Sequence, residues 1–526
     1  MADKVDVSTP SLAYTEMHDT YWETTEPLRG GTQAMRDVGA RLLPLAEKEE
    51  AAQWRYRRDR SFLFPAYDDA INRLVAKPFR RAVVLNGDVP EELADLELNA
   101  DLEGRSLTNL AEDVFDAGVN YGLTHVFCDF QSGGEDLTPS QQRALGLRPY
   151  FTHVTPPNLL AWRSANLASG EDYLTHARIR TLSVEIDPEN EWAEIEVERI
   201  KVYDAPVLAD AGDDDYIRFL NNEMTAKEFE DRGGQLTSVR VFEKNDKGDW
   251  FENVAKRTVI AYPGIPLLTY YTARTGYMTA MPLMWSLADL NVHHWQIGSD
   301  YGNIIHVAMV PILKALGFDD KQIKQISFGP NRAFQTDRAA TDAVLEWLEL
   351  QSGTGIKAGR EELDRIEARM RHLSMEPEIN KVGQPTATGR AIDEAKATSV
   401  AQARIIDLQS MLEDAYRCAA TWIGRQLQDE FAVDVFSDFV LGMKGPEDIE
   451  TIDKDRDRKD ITAATLLREK QRRGVYDEKL DVDEEVRLAH LERDALSFDA
   501  PEPDDEDQED EEDEDDGVAQ QPVEVE

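Results

Sequence analysis

Cysteine is nearly absent: the 526 residues hold two, Cys128 and Cys418, far apart in sequence. Such a pair cannot build a disulfide framework or, unaided, a thiolate metal site. That scarcity suits a reducing cytoplasm, or a particle assembled in one. Long apolar runs are missing as well. The stretch 307–313 is seven residues and contains Pro311, far short of the roughly 20 residues that span a bilayer. Residues 1–6 show no apolar core of a secretory leader. Basic residues are scarce, with 58 Lys and Arg against 103 Asp and Glu, a net charge of −45. A surface that grips phosphates broadly needs clustered cations, so that class is excluded. A duct through which nucleic acid passes without being held is not.

What is present is an ordinary globular composition. The 41% apolar content rules out wholesale disorder, and the length allows about three or four domains with ample core. The acidity falls in two parts. Residues 501–526 hold 15 carboxylates and no Lys or Arg, and the first 500 residues retain −30. The tail reads as a solvated, disordered tract that cannot pack a core.

Residues 1–45 carry few periodic signals and read as an irregular arm with one short helix. Helical spacing covers 47–75, interrupted at Pro65, and ends before Pro78. A helix fits 106–121, stopped by Gly122. Strand patterns follow at 123–130, 148–154, 159–163, 175–182, 193–203 and 238–243, with a hairpin turn at 245–249. Residues 1–265 therefore read as α+β with a mostly antiparallel sheet. Beyond Pro266 the chain turns helical. A long helix fits 281–306, with Pro282 in its first turn and Leu287 and Leu290 in its apolar stripe. A compact section reaches about residue 350. A helix at 359–373 carries Leu363, Ile366, Met370 and Leu373 at spacings of three, four and three among charges of both signs. Residues 374–388 break the pattern with Pro377, Gly383 and Pro385, and 389–428 is the longest helical candidate. Gly445-Pro446 closes a short section before a charged helical region at 461–493.

Catalytic signatures are lacking. There is no GxxxxGK[ST] loop, GxSxG elbow or HExxH helix. Gly353-Thr354-Gly355-Ile356-Lys357 has no Ser or Thr after its lysine and reads as a loop before a helix. Asp453, Asp455 and Asp457 imitate a calcium loop, yet Arg458 stands where glycine is required and Ala464 where glutamate is. His293 and His294 diverge by about 100° on a helix and cannot share a metal. His125 and Cys128 fall on opposite faces of a strand. No cofactor, metal or catalytic residue is expected.

Several phrases carry a family likeness. Ile265-Pro266-Leu267-Leu268, Arg274-Thr275-Gly276-Tyr277-Met278, Leu287-Ala288-Asp289-Leu290-Asn291 and Ser299-Asp300-Tyr301 resemble the central block of the portal proteins of tailed double-stranded DNA bacteriophages, in particular a portal-like subgroup long catalogued as of unknown function. Residues 71–79, 155–162 and 386–394 are similar to its other recurrent phrases. The resemblance covers roughly residues 45–430 and rests on order and extent, since none of the phrases is catalytic. The acidic tail is not a general feature of the family.

The resemblance implies a portal fold with wing, stem, clip and crown whose long helices line a ring. On that plan residues 1–45 are an arm and 46–280 the α+β wing. The stem helices are 281–306 and 359–373, with the clip at 307–358 between them. The tunnel loop is 374–388, the long wing helix 389–444, the crown 445–498 and the acidic tail 499–526. It implies a homo-oligomeric ring, of twelve subunits in the family, at one capsid vertex of a virion assembled in the bacterial cytoplasm. The ring would be the channel for DNA packaging and ejection. Its partners would be the major capsid protein, large terminase, head-tail adaptor and double-stranded DNA bound without sequence preference, and no membrane. Met375, Glu376, Glu378, Ile379, Lys381, Val382 and Gln384 would form the constriction facing DNA. Leu287, Leu290, Leu363, Ile366, Met370 and Leu373 would pack the stem. Lys314, Lys321, Lys324 and Arg332 make the clip locally basic, which fits either a plain solvated face or a patch for an acidic partner. Two other classes stay open: a different structural or scaffolding protein of a virus head, and a metal-dependent hydrolase using the abundant carboxylates.

Overall fold

In the computed structural model the first described segment is helical. The structure describes residues 6–131, 145–166, 170, 172–187, 190–206, 215, 218–219, 223–245, 247–309, 312–316, 344–348, 353–374, 387–428, 430–437, 452–454, 456–472, 476 and 480–497. These belong to two units, Met1–Phe439 and Val440–Glu526, described in turn.

Helix α1 (Leu12–Met17) starts at Ser11, whose side chain accepts a hydrogen bond from the Tyr14 N–H. A π-helical turn, His18–Trp22, leads into α2 (Glu23–Val38), which contains Pro27 and is kinked at Gly31 with φ +76°. This replaces the irregular arm expected for 1–45. The π-turn and the kink shift the apolar register twice, which hides the helical period, yet Trp22, Leu28 and Met35 are fully buried. Helices α3 (Ala51–Arg60) and α4 (Ala66–Val75) follow, separated at Pro65 as expected. The amphipathic α4 buries Tyr67, Ala70, Ile71, Leu74 and Val75.

After the short strand β1 (Val84–Asn86) comes α5 (Leu107–Tyr121), whose buried face packs on the small sheet. Ser106 caps it by accepting from the Asn109 N–H, and Gly122 ends it at φ +90°. Nine strands follow: β2 (Leu123–Phe130), β3 (Pro149–Val154), β4 (Leu159–Asn166), β5 (Asp172–Asp187), β6 (Asn190–Asp204), β7 (Thr237–Lys244), β8 (Trp250–Glu252), β9 (Thr258–Ile260) and β10 (Leu267–Tyr271). Strands β10-β2-β3 form one sheet, and β4-β5-β6-β7-β8 another, with β9 added on β7. Every described pairing in them is antiparallel. Strand β2 is buried over its first six residues because α5 covers one side of the small sheet. β5 and β6 run well past the expected 175–182 and 193–203, since their outer halves are rich in glutamate and lack a buried face. The small hairpin β11 (Arg274–Gly276) and β12 (Thr279–Ala280) precedes the helical half.

Helix α6 (Trp285–Met309) starts three residues after Pro282 rather than around it. The intervening turn is pinned by Leu283, whose N–H donates to the Val119 carbonyl at 3.2 Å. Strands β13 (Ile312–Leu316) and β14 (Val344–Leu348) pair antiparallel. Helix α7 (Gly353–Leu373) begins six residues earlier than expected and absorbs Gly353 to Lys357, so that segment is helix and not loop. Glycine has a low helix propensity, which is why the sequence reads there as a loop. Helix α8 (Ala387–Trp422) has 36 residues, about 54 Å at 1.5 Å per residue. It stops short of residue 428 at Gly424 (φ +63°), where the Arg425 N–H closes on the Ala420 carbonyl at 2.9 Å. Strand β15 (Ala432–Asp434) then pairs with β1. One core of buried side chains joins α2, α4, α5, α6, α7, α8 and the small sheet, with Trp295, Tyr67, Tyr270, Tyr416 and Phe115 among its largest members.

In the second unit the single region expected at 461–493 is two helices, α9 (Ala463–Arg472) and α10 (Val482–Ser497). They pack together, and Arg468 reaches both Asp483 oxygens at 2.8 and 2.9 Å. No described helix is long and apolar enough to cross a membrane.

Candidate functional site

The candidate site is the helical half to which the portal resemblance assigns stem, clip and long wing helix: α6, α7, the hairpin strands between them, and α8. The two stem candidates touch along their length. Leu287, Ile366 and Met370 are fully buried in the common core, and Leu290 packs on it half-buried. Leu363 is also half-buried, whereas Leu373 is exposed near the helix end. A tight contact fixes the spacing of the pair. A Cβ on Gly359 would lie 2.9 Å from Cδ2 of Tyr301, so glycine there lets α7 press against the tyrosine ring.

His294 stands in the same seam. Its Nε2 is 3.4 Å from Oε1 of Glu367 on α7, and its ring lies 5.3 Å from that of Phe64. Burial lowers its pKa and wins over the opposing pull of Glu367. His293 is exposed, so the neighbouring imidazoles face different surroundings and offer no shared metal position.

The opposite side of α6 is clamped by the N-terminal helices. Arg57 is buried, bonds both oxygens of Glu49 at 2.8 Å and reaches Asp300 at 3.0 Å. That pairing raises the arginine pKa and lowers that of Glu49. Gln296 donates to the Leu42 carbonyl at 3.0 Å, and Asn291 bridges Phe64 and Tyr67. Apart from the Arg57–Glu49 pair, nothing local in the sequence announces these bonds, because their partners lie more than 200 residues apart in the chain.

Of the clip candidates, Lys314 lies on β13 in register with Glu346 of β14. Lys321, Lys324 and Arg332 lie outside the described residues, as do Met375, Glu376, Glu378, Ile379, Lys381, Val382 and Gln384 of the tunnel loop. On α8 the face formed by Ala401, Ile405, Leu408, Leu412, Ala415 and Ala419 is buried. Tyr270 of β10 donates to the Arg404 carbonyl at 3.0 Å, tying the helix to the small sheet.

The remaining sequence candidates have structural surroundings. His125 is fully buried, 3.0 Å from the Thr269 hydroxyl, and burial pushes its pKa down to about 3. Cys128 is also buried, and burial together with Cys418 pushes its thiol pKa up. The two cysteines meet, β2 against α8, although they lie 290 positions apart and share no local motif. Trp422, one turn beyond Cys418, donates to the Cys128 carbonyl at 3.1 Å. Asp453, a calcium-loop candidate, pairs with Lys470 at 2.6 Å. Among the described residues one group, His18 and Asp19 on the π-turn with Glu23 at the start of α2, brings three donor atoms within 4.8 Å. Arg41 forms an ion pair with Glu23, so the group is compensated by the chain itself and we assign no cation to it.

Residues 282–423, from the turn before α6 to the end of α8, match the model of a family described as a domain of unknown function, DUF4055. No curated protein matches the sequence. Two solved structures are similar over most of their length. One is a chain of "Neck of native GTA particle computed with C12 symmetry", at 8% identity, covering 76% of this chain and 86% of the other, with a TM-score of 0.36. The second is a chain of "Neck of empty GTA particle computed with C6 symmetry", at 9% identity, covering 75% and 85%, with a TM-score of 0.39. Scores of that size carry no argument about role.

Proposed function

We propose that this protein is a portal: the subunit of a ring at one capsid vertex of a tailed, double-stranded DNA phage. The ring is the channel through which DNA is packaged and ejected, and the docking site for the packaging ATPase and the tail adaptor. The observation that carries the reading is the ordered set of portal-like phrases between residues 265 and 301, which run into the helix pair α6 and α7. Two packed helices joined through an insert, then a Gly- and Pro-containing loop and a helix of 36 residues, are what a stem, clip, tunnel loop and wing helix need.

The physics of a duct agrees with the composition. A closed ring needs two different surfaces on each subunit, and α7 offers one apolar face with charges of both signs elsewhere. A wall rich in Lys and Arg would release counterions and hold the duplex tightly. An acidic wall repels phosphate and keeps residence short, and this chain is acidic even without its tail. The segment 374–388 acts as a weakly contacting constriction, and the clip presents its lysines to an acidic partner.

Negative-stain images of purified protein test the reading. An annulus with a central hole, of twelve or thirteen subunits, is expected. A monomer or dimer across the micromolar range, with no annulus, overturns it. Deleting residues 384–386 is expected to shorten or destabilise packaged DNA while leaving the ring intact.

A further inference from the structure

Strands β5 and β6 outrun their neighbours. β4 pairs with β5 only as far as Ile179, and β7 pairs with β6 only from Arg199 onward. Residues 182–187 and 190–198 therefore form a two-stranded ribbon with no third strand among the described residues. Such a ribbon is marginal in water, and its open edges are a liability unless something covers them.

Its side chains show what kind of cover is missing. Leu182, Val184 and Ile186 lie opposite Glu198, Glu196 and Glu194, so each apolar residue shares a face with a carboxylate. Trp192 stands two residues before Glu194 on the same strand and is 87% exposed, and Val184 and Ile186 are each 67% exposed. Between Thr181 and Glu198 there are seven carboxylates and no Lys or Arg. Scattered exposed hydrophobics need no explanation, but a row of four on one arm does.

The same chain carries the complement. Residues 55–60 hold four arginines, the densest run of arginine in the sequence. Arg57 is turned inward, but Arg55 and Arg60 pair with no carboxylate among the described residues. Arg58 and Arg60 lie over the rings of Trp54 and Tyr56 at 5.2 and 5.1 Å. Beside them Tyr56 is 52% and Phe62 74% exposed. The ribbon and this surface are both open to solvent, so they do not cover each other within one chain.

We propose that the β5–β6 ribbon of one copy docks on the α3 surface, Arg55 to Phe62, of a neighbouring copy, and that this is a head-to-tail contact of the ring. It rests on the ring reading above. Guanidinium groups meet Glu194 and Glu196, Glu198 being held by Lys244, and the exposed aromatics of both surfaces form the desolvated centre. Because the two surfaces differ, the contact is heterologous and can close a cycle.

Cross-linking tests the contact separately from the ring, using the full chain. Cys128 and Cys418 are buried, so new cysteines from Trp192→Cys and Phe62→Cys are the accessible thiols for a short bismaleimide. A mixture of the two single variants is expected to give covalent dimers only, and the double variant a ladder of multimers. No cross-link, or one only within a monomer, overturns the contact even if rings form. A cross-link without any annulus upholds the contact and overturns the ring. Charge reversal in E194R/E196R/E198R is expected to weaken association at least about tenfold, and mixing that variant with R55E/R58E/R60E to restore it. Variants with native circular dichroism that associate as tightly as the parent also overturn the contact.

Discussion

The side-chain amide of Asn291 holds both sides of the helix break at Pro65. Its Oδ1 accepts from the Tyr67 N–H at 2.9 Å, and its Nδ2 donates to the Phe64 carbonyl at 2.9 Å. Proline ends the helical ladder and leaves peptide groups that a buried site must satisfy. Asn291 is fully buried, so one residue of α6 sets the joint between α3 and α4. Asn291→Leu keeps the volume and removes both bonds. The Phe64 carbonyl keeps the Ala66 N–H at 2.9 Å, so the Tyr67 N–H is the group left unpaired, at about 1–3 kcal/mol, and urea unfolding should show a loss of that size. A change of less than about 0.5 kcal/mol would mean that solvent replaces the bridge.

Gly122 is a second joint whose chemistry is steric. It adopts φ +90°, and a Cβ there would lie 2.3 Å from the Met281 carbonyl oxygen, with the Met281 carbonyl carbon and amide nitrogen also within 3.0 Å. Its own carbonyl accepts from the Thr272 N–H at 2.8 Å. The end of α5 is thus pressed against the segment leading to α6. Gly122→Ala must both strain the backbone and displace main chain that has no rotamer to escape into. We expect at least about 3 kcal/mol of destabilisation, read as a lowered thermal midpoint, and insoluble expression if the residual stability is small.

These two joints show what a sequence can reveal. Ser106 and Gly122 bracket α5 as read, because capping chemistry is local and needs no partner elsewhere. β2 was legible to the residue because its apolar, β-branched pattern ends in turn formers. The apolar stripes of α6 and α7 were legible at Leu287, Ile366 and Met370, where a helical period coincides with burial. Leu373 shares the period but lies exposed at the helix end, a matter of where the partner stops. Helices α1 and α2 were hidden by a π-turn, Pro27 and the Gly31 kink, which break the period while the chain stays helical. The start of α7 was misread because Gly353 and Gly355 have low helix propensity, although nothing lies within 4 Å of a Cβ at either and both are helical. Asn291, the Cys128–Cys418 meeting and the Arg57 clamp are long-range, and a single sequence has no means of pairing their halves.

The buried thiols make a prediction about reactivity. Burial and the neighbouring Cys418 push the Cys128 pKa up, and the thiolate is the reactive form. The Trp422 indole, bonded to the Cys128 carbonyl at 3.1 Å, closes the seam between β2 and α8. Native protein should therefore leave both thiols unmodified by a chromogenic disulfide at neutral pH, and release both in guanidinium. Trp422→Ala opens the seam and should speed labelling at least about tenfold. Fast labelling of the parent protein would show that the seam opens by itself.

Acid stability follows from histidines held neutral. His125 is fully buried beside Thr269, and burial lowers its pKa to about 3. His153 is lowered to about 4 by burial and by Arg105. In the unfolded chain both titrate near their ordinary value of about 6.5. Above that value neither state binds the proton, so the stability is fully present. As pH falls below it, the unfolded state takes up protons that the folded state refuses, and stability is lost down to the folded values. The slope approaches about 1.4 kcal/mol per pH unit for each histidine, and His294, also lowered by burial, acts in the same direction. Urea midpoints measured between about pH 7.5 and about pH 5 should fall accordingly. His125→Gln keeps a polar partner for Thr269 without a titrating ring. Between about pH 6 and pH 5 it should lose about 1 kcal/mol less than the parent protein. Equal slopes in the two proteins would mean that His125 is protonated in the folded state and that β2 admits water.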